Sequence, residues 1–141
     1  MTHTAVRRIQ FCAGHRVYRH ESKCAHLHGH NYVAFFHATA TYDLDSVGRV
    51  IDFSVLKHKL GSWIEANWDH GMLLAAEDTT AIHAAESVNP SKLFLLPNNP
   101  TAENMAAYLL RTVCPQQLPA AVVVTKVVLW ETENCYAEVE L

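Results

Sequence analysis

The stretch CAHLHGHNYVAFFHATATY, Cys24 to Tyr42, joins a cluster of chemically active side chains to a long run of β-branched, aromatic and small residues. From His30 to Tyr42, Tyr32, Ala34, Phe36, Ala38, Ala40 and Tyr42 alternate against Val33, Phe35, His37, Thr39 and Thr41, the period-two pattern of a long strand. Both faces of that strand are partly apolar, so one face packs on the core and self-association is the natural cover for the other. At the strand's beginning, His28 and His30 project to the same side because side chains alternate along an extended chain. Two imidazoles so placed can grip one ion, and Gly29 between them lets backbone or ligand approach closely.

Upstream, Thr4 to Arg16 alternates imperfectly around Val6, Ile9 and Phe11 and reads as the first strand. It ends in Phe11-Cys12-Ala13-Gly14-His15-Arg16, which makes His15 the best third ligand. Three neutral nitrogen donors leave a zinc ion its full charge and an open position, the arrangement of a catalytic site. Cys24 can close that site as a fourth ligand or stand beside it as a base. Histidine is abundant here, 10 of 141 residues, so a His-x-His pair also arises from composition alone as solvated surface. The company of Cys24, Gly29 and His15 points to a metal. The polar loop from Tyr18 to Leu27, which carries Cys24, reads as an active-site loop.

Downstream, Asp43 to Gly48 supplies turn chemistry, and Asp52 or Ser54 caps a helix whose apolar positions are Phe53, Leu56, Leu60, Trp63 and Ile64. Gly61 weakens that helix by about 1 kcal/mol relative to Ala. The helix stops near Trp68, immediately before Asp69-His70. Ala75 to Ser91 has no periodicity and reads as an excursion, and Lys92 to Leu96 as a short strand. After the turn Pro97-Asn98-Asn99-Pro100, Thr101 caps a second helix with Glu103 in its first turn and a stripe of Met105, Ala106, Leu109, Leu110 and Val113. Pro115 and Pro119 are expected to end it. Two last strands, Val122 to Trp130 and Tyr136 to Glu140, are joined by Glu131 to Cys135.

The order strand, strand, helix, helix, strand, strand predicts one α+β domain over residues 1–141, an antiparallel sheet with helices on one face. With 50% hydrophobic residues the chain has a real core to bury. A formal net charge of -3 argues against a nucleic-acid surface, although Arg7, Arg8, Arg16, Arg19 and Lys23 fall near the histidines. No secretory h-region and no membrane-length apolar run is present, so the expectation is a cytoplasmic protein with four reduced cysteines. Cys12, Cys114 and Cys135 are expected to fill small apolar spaces.

Six ordered motifs carry a family resemblance: Phe11 to Arg16, Cys24 with His28-Gly29-His30-Asn31-Tyr32, Val50-Ile51-Asp52-Phe53, Trp68-Asp69-His70, Asn99 to Asn104, and Trp130-Glu131-Thr132. They resemble the 6-pyruvoyltetrahydropterin synthase and 6-carboxytetrahydropterin synthase family over nearly the whole chain. The resemblance implies a tunnelling fold, a four-stranded antiparallel sheet with two helices, assembled into an oligomeric barrel and a homohexamer. It implies zinc on His15, His28 and His30, and Cys24, Asp69 and His70 as the catalytic group. Glu131 would anchor the pterin, and Thr101 and Glu103 would line the same pocket; without the resemblance Glu131 reads as a solvated hairpin carboxylate and the other two as capping residues. The implied substrate is 7,8-dihydroneopterin triphosphate, a small-molecule pterin. The short interval from Cys24 to His28 resembles the carboxy-forming bacterial branch, which yields 6-carboxy-5,6,7,8-tetrahydropterin, acetaldehyde and triphosphate on the way to queuosine. The alternatives are the pyruvoyl-forming branch and a non-catalytic zinc-binding domain. The long segment Ala75 to Leu96 and the extra His26 depart from the shortest members.

Overall fold

A computed structural model describes residues 1–141. Strands β1 (Ala5–His15) and β2 (His28–Ala40) pair antiparallel over their whole length, from Ala5 opposite Ala38 to His15 opposite His28. Strand β5 (Val122–Thr132) lies antiparallel on the other side of β2, with a bulge between His37 and Ala38, and β6 (Cys135–Glu140) follows it by a tight turn. The sheet is larger than the four strands expected. Strands β3 (Met72–Ala75) and β4 (Leu93–Leu96) extend it beyond β1 in parallel, giving the order β4-β3-β1-β2-β5-β6. Leu73, Leu74 and Ala75 are all buried, so β3 has no alternation to read.

The helices cover one face. Helix α1 (Phe53–Asn67) begins at Asp52, whose carboxylate accepts from the Ser54 amide at 2.8 Å, and buries Leu56, Leu60 and Ile64. Phe53, expected in that stripe, is 55% exposed, because it lies at the first helical position before the stripe turns inward. The excursion after β3 contains a further helix, α2 (Thr79–Glu86), capped by Asp78. It buries only Ala81, which is why no apolar period announced it. Helix α3 (Ala102–Tyr108) is capped by Thr101, passes through a π turn at Leu109–Val113 and continues as α4 (Cys114–Gln117). Pro115 therefore does not end the helix. It sits at the start of α4, where the missing N–H costs least, and the chain turns away only at Leu118.

Tyr32, Phe36, Leu56, Trp68, Met105 and Leu109 are among the core residues between sheet and helices. The opposite face of β2, with Val33, Phe35 and His37, is only half covered. Burial raises the Cys114 thiol to about 12, consistent with the expected small apolar filler. No helix is long and apolar enough to cross a membrane.

Candidate metal centre and proton-transfer pair

Antiparallel register brings the first group together. His15 ends β1 directly opposite His28, and His30 lies two positions along β2 on the same face, opposite Ala13. The three ring centroids form a near-equilateral triangle with sides of 4.6, 4.9 and 5.1 Å. Gly29 permits the close pairing, since a Cβ there would meet the Ala13 carbonyl at 3.1 Å.

The hydrogen bonds fix which nitrogens carry protons. His15 Nδ1 donates to the Pro100 carbonyl at 2.7 Å, and His28 Nδ1 donates to the His26 carbonyl at 2.6 Å. With Nδ1 given to a carbonyl, each ring turns Nε2 inward, and those two atoms stand 3.1 Å apart. Two lone pairs so close need a shared cation or proton between them. His30 Nε2 is buried with no hydrogen-bond partner, 3.5 Å from Glu131 Oε1. Burial holds His15 and His30 below the ordinary imidazole value, more strongly than Glu131 raises them, so both are neutral donors near pH 7. Ligand nitrogens of tetrahedral zinc lie roughly 3.4 Å from one another, so this donor set fits the ion with small adjustments. His26 contributes its carbonyl; its ring is exposed.

The second group sits at the corner after α1. Asp69 Oδ2 accepts from His70 Nδ1 at 2.8 Å, and Asp69 Oδ1 accepts from the Cys12 amide at 3.0 Å. Burial pushes the Asp69 carboxyl upward, but those bonds outweigh it and leave the group below the usual carboxylate range. His70 has φ 60°, in the left-handed region, and its amide is tied to the Cys12 carbonyl at 2.7 Å. Cys12 Sγ lies 3.6 Å from both ring nitrogens of His70. Cys12 is thus part of this group rather than a filler of apolar space.

The two groups meet β1 on opposite faces. Cys12 and His15 differ by three positions, so the side that carries Cys12, Asp69 and His70 is turned away from the side that carries the three histidines. Cys24 joins neither group within one chain. It lies on the short 3-10 turn Lys23–Ala25, half-buried, its carbonyl accepting from the Val17 amide at 2.8 Å and its thiol without a hydrogen bond. That turn is braced by Arg16, which pairs through two nitrogens with the buried Asp78 at 2.6 and 2.8 Å and reaches the Ala25 carbonyl at 3.4 Å.

Glu131 lies within β5 rather than in the turn after it, because the ladder runs on to Thr132 opposite Cys135. With Ala102, Glu103 and Tyr136 it lines a surface cavity of about 480 Å³. Thr101 is bound up in capping, accepting from the Asn104 amide at 3.1 Å.

The sequence profile described as 6-pyruvoyl tetrahydropterin synthase matches residues 4–141. A 6-carboxy-5,6,7,8-tetrahydropterin synthase of Rickettsia conorii is 40% identical over 134 residues, covering 94% of this chain and 96% of that protein. One of the same name from Aquifex aeolicus is 32% identical, covering 92% and 93%. Among solved structures, an uncharacterized protein of Wolinella succinogenes superposes with a TM-score of 0.81 at 23% identity, covering 99% of this chain and 98% of that one. The Caenorhabditis elegans 6-pyruvoyl tetrahydropterin synthase superposes with a TM-score of 0.69 at 21% identity, covering 100% and 96%. These two likenesses bear on the fold.

Proposed function

Since the chain belongs to the 6-pyruvoyl tetrahydropterin synthase family, we propose that it is a zinc-dependent lyase that converts 7,8-dihydroneopterin triphosphate to 6-carboxy-5,6,7,8-tetrahydropterin, with release of acetaldehyde and triphosphate. The observation that carries this reading is the convergence of three imidazoles, two of them with Nε2 atoms 3.1 Å apart, in a chain 40% identical to relatives named for that product. The four-residue interval from Cys24 to His28 supports the same branch.

His15, His28 and His30 would hold the ion. Bound there, zinc would supply Lewis acidity toward the oxygens of the pterin side chain. Cys24, half-buried on a braced turn four residues before His28, would be the proton acceptor. Asp69 holds His70 by its Nδ1 proton and so presents Nε2 as the second proton-transfer station. Glu131 accepts the amino-pyrimidine edge of the pterin through two oxygens, with Glu103 beside it in the same cavity. The opposite facing of Cys12 and His15 puts the three histidines and the Asp69–His70 pair of one chain on different sides of the sheet. A complete site therefore takes its metal group from one copy and its Asp69–His70 pair from another, which fits a homohexamer built on the half-covered sheet face.

Stripping the protein with a chelator and reloading it with zinc tests the reading. Consumption of 7,8-dihydroneopterin triphosphate stops and then returns; consumption undiminished by full metal removal overturns it.

A further inference from the structure

We propose that Lys92 is a positioning residue for the Asp69–His70 pair, and that the long excursion between β3 and β4 brings it there. Its Nζ donates to the Asp69 carbonyl at 2.5 Å and to the Glu65 carbonyl at 2.6 Å. Helix α1 ends at Asn67, so these carbonyls belong to the helix end and the corner beyond it, where acceptors lack intrahelical donors and a cation is favoured. One ammonium thus binds the backbone of the proton-transferring pair to the last turn of the helix before it.

The main chain of Lys92 is fixed independently. Its carbonyl accepts from the Met72 amide at 2.9 Å, just ahead of the pairing of Met72 with Leu93 that begins β4. The side chain then lies across Gly71, where an added Cβ would meet Lys92 Cγ at 3.4 Å and the Lys92 carbonyl at 3.5 Å. The tightest approach at Gly71 is to the Trp68 carbonyl, which an added Cβ would meet at 3.1 Å. On the other side of the corner, Cys12 takes the His70 amide and gives its own amide to Asp69. His70, in a left-handed conformation that a side-chain-bearing residue adopts only when held, is gripped between the end of β1 and the ammonium of Lys92.

The test uses Lys92→Met and Lys92→Arg in the full-length, zinc-loaded protein, with residue-resolved amide exchange and steady-state kinetics on 7,8-dihydroneopterin triphosphate. The kinetic arm rests on the function proposed above; the exchange arm does not. In Lys92→Met, exchange at the His70 and Gly71 amides rises about tenfold while the β1–β2 ladder exchanges as before. In the same variant kcat falls about tenfold with KM and zinc content unchanged, and Lys92→Arg restores both. Exchange at His70 and Gly71 at the original rate overturns the proposal, as does a rise spread equally over all amides. If the unmodified protein does not turn the pterin over, the proposed reaction fails and the exchange result still decides the role of Lys92.

Discussion

Two Nε2 atoms 3.1 Å apart, each on a ring whose other nitrogen is spent on a carbonyl, are the strongest chemical statement in the molecule. His28→Ala removes one of the three proposed ligands, and the expected outcome is loss of most zinc by elemental analysis. Cys24→Ala gives the opposite result: zinc stays near one ion per chain while turnover falls by a factor on the order of 10². Zinc loss in Cys24→Ala would make the thiol a ligand, and unchanged turnover would remove it from the reaction. The histidine trio was legible in the sequence because period two in a strand fixes which side chains share a face, and the end of the first strand offered His15 as its third member. Cys12 was not legible. Its role depends on Asp69 and His70 arriving from more than fifty residues away, and no local pattern encodes that meeting.

Among the elements, the legible ones have a face. Strand β2 and helix α1 alternate or recur against a core, and their expected and observed bounds nearly coincide. Strand β4 was legible as a short strand, but β3 and α2 have no such face, since β3 is buried through three successive residues and α2 buries Ala81 alone. What holds α2 is the bidentate Arg16–Asp78 pair, and its pH dependence can be worked out. Unfolded, Asp78 titrates at about 3.9; folded, the two bonds from Arg16 hold it lower, although burial opposes them. As pH falls through 4 the unfolded chain takes up the proton first, so this contribution is present above that value and is lost as pH drops through the lowered one. Asp78→Asn removes this component of the acid slope and costs about 3 kcal/mol at neutral pH, read from urea unfolding across pH 3 to 7. Unfolding curves that match the original protein would show the pair to be inert. Helix α1 offers the opposite sign at Gly61. A Cβ there meets only Ile9 Cδ1 at 3.9 Å and Lys57 Cγ at 4.0 Å, so Gly61→Ala stabilises by about 0.5–1 kcal/mol, measurable as a raised thermal midpoint.

At the scale of the whole molecule, the sheet has one face under helices and one half covered by its own side chains. Val6 is 40% exposed and Val123 36%, and β4 and β6 present open edges. The apolar pattern on both faces of β2 raised the expectation of self-association; the opposite placement of the histidine trio and the Asp69–His70 pair became visible only once β1 was folded. Light scattering should give a hexamer, or at least a trimer. Mixing His28→Ala with His70→Ala, each inactive alone, should restore part of the turnover after subunit exchange, because mixed sites combine an intact metal group with an intact Asp69–His70 pair. Mixtures as inactive as their components would contradict a site shared between copies. The most direct test of the central claim is the identity of the products formed from 7,8-dihydroneopterin triphosphate by the zinc-loaded protein, read by mass spectrometry. The proposed reaction yields 6-carboxy-5,6,7,8-tetrahydropterin with acetaldehyde and triphosphate in equal amounts; a 6-pyruvoyl product with no acetaldehyde, or an unconsumed substrate, would contradict it.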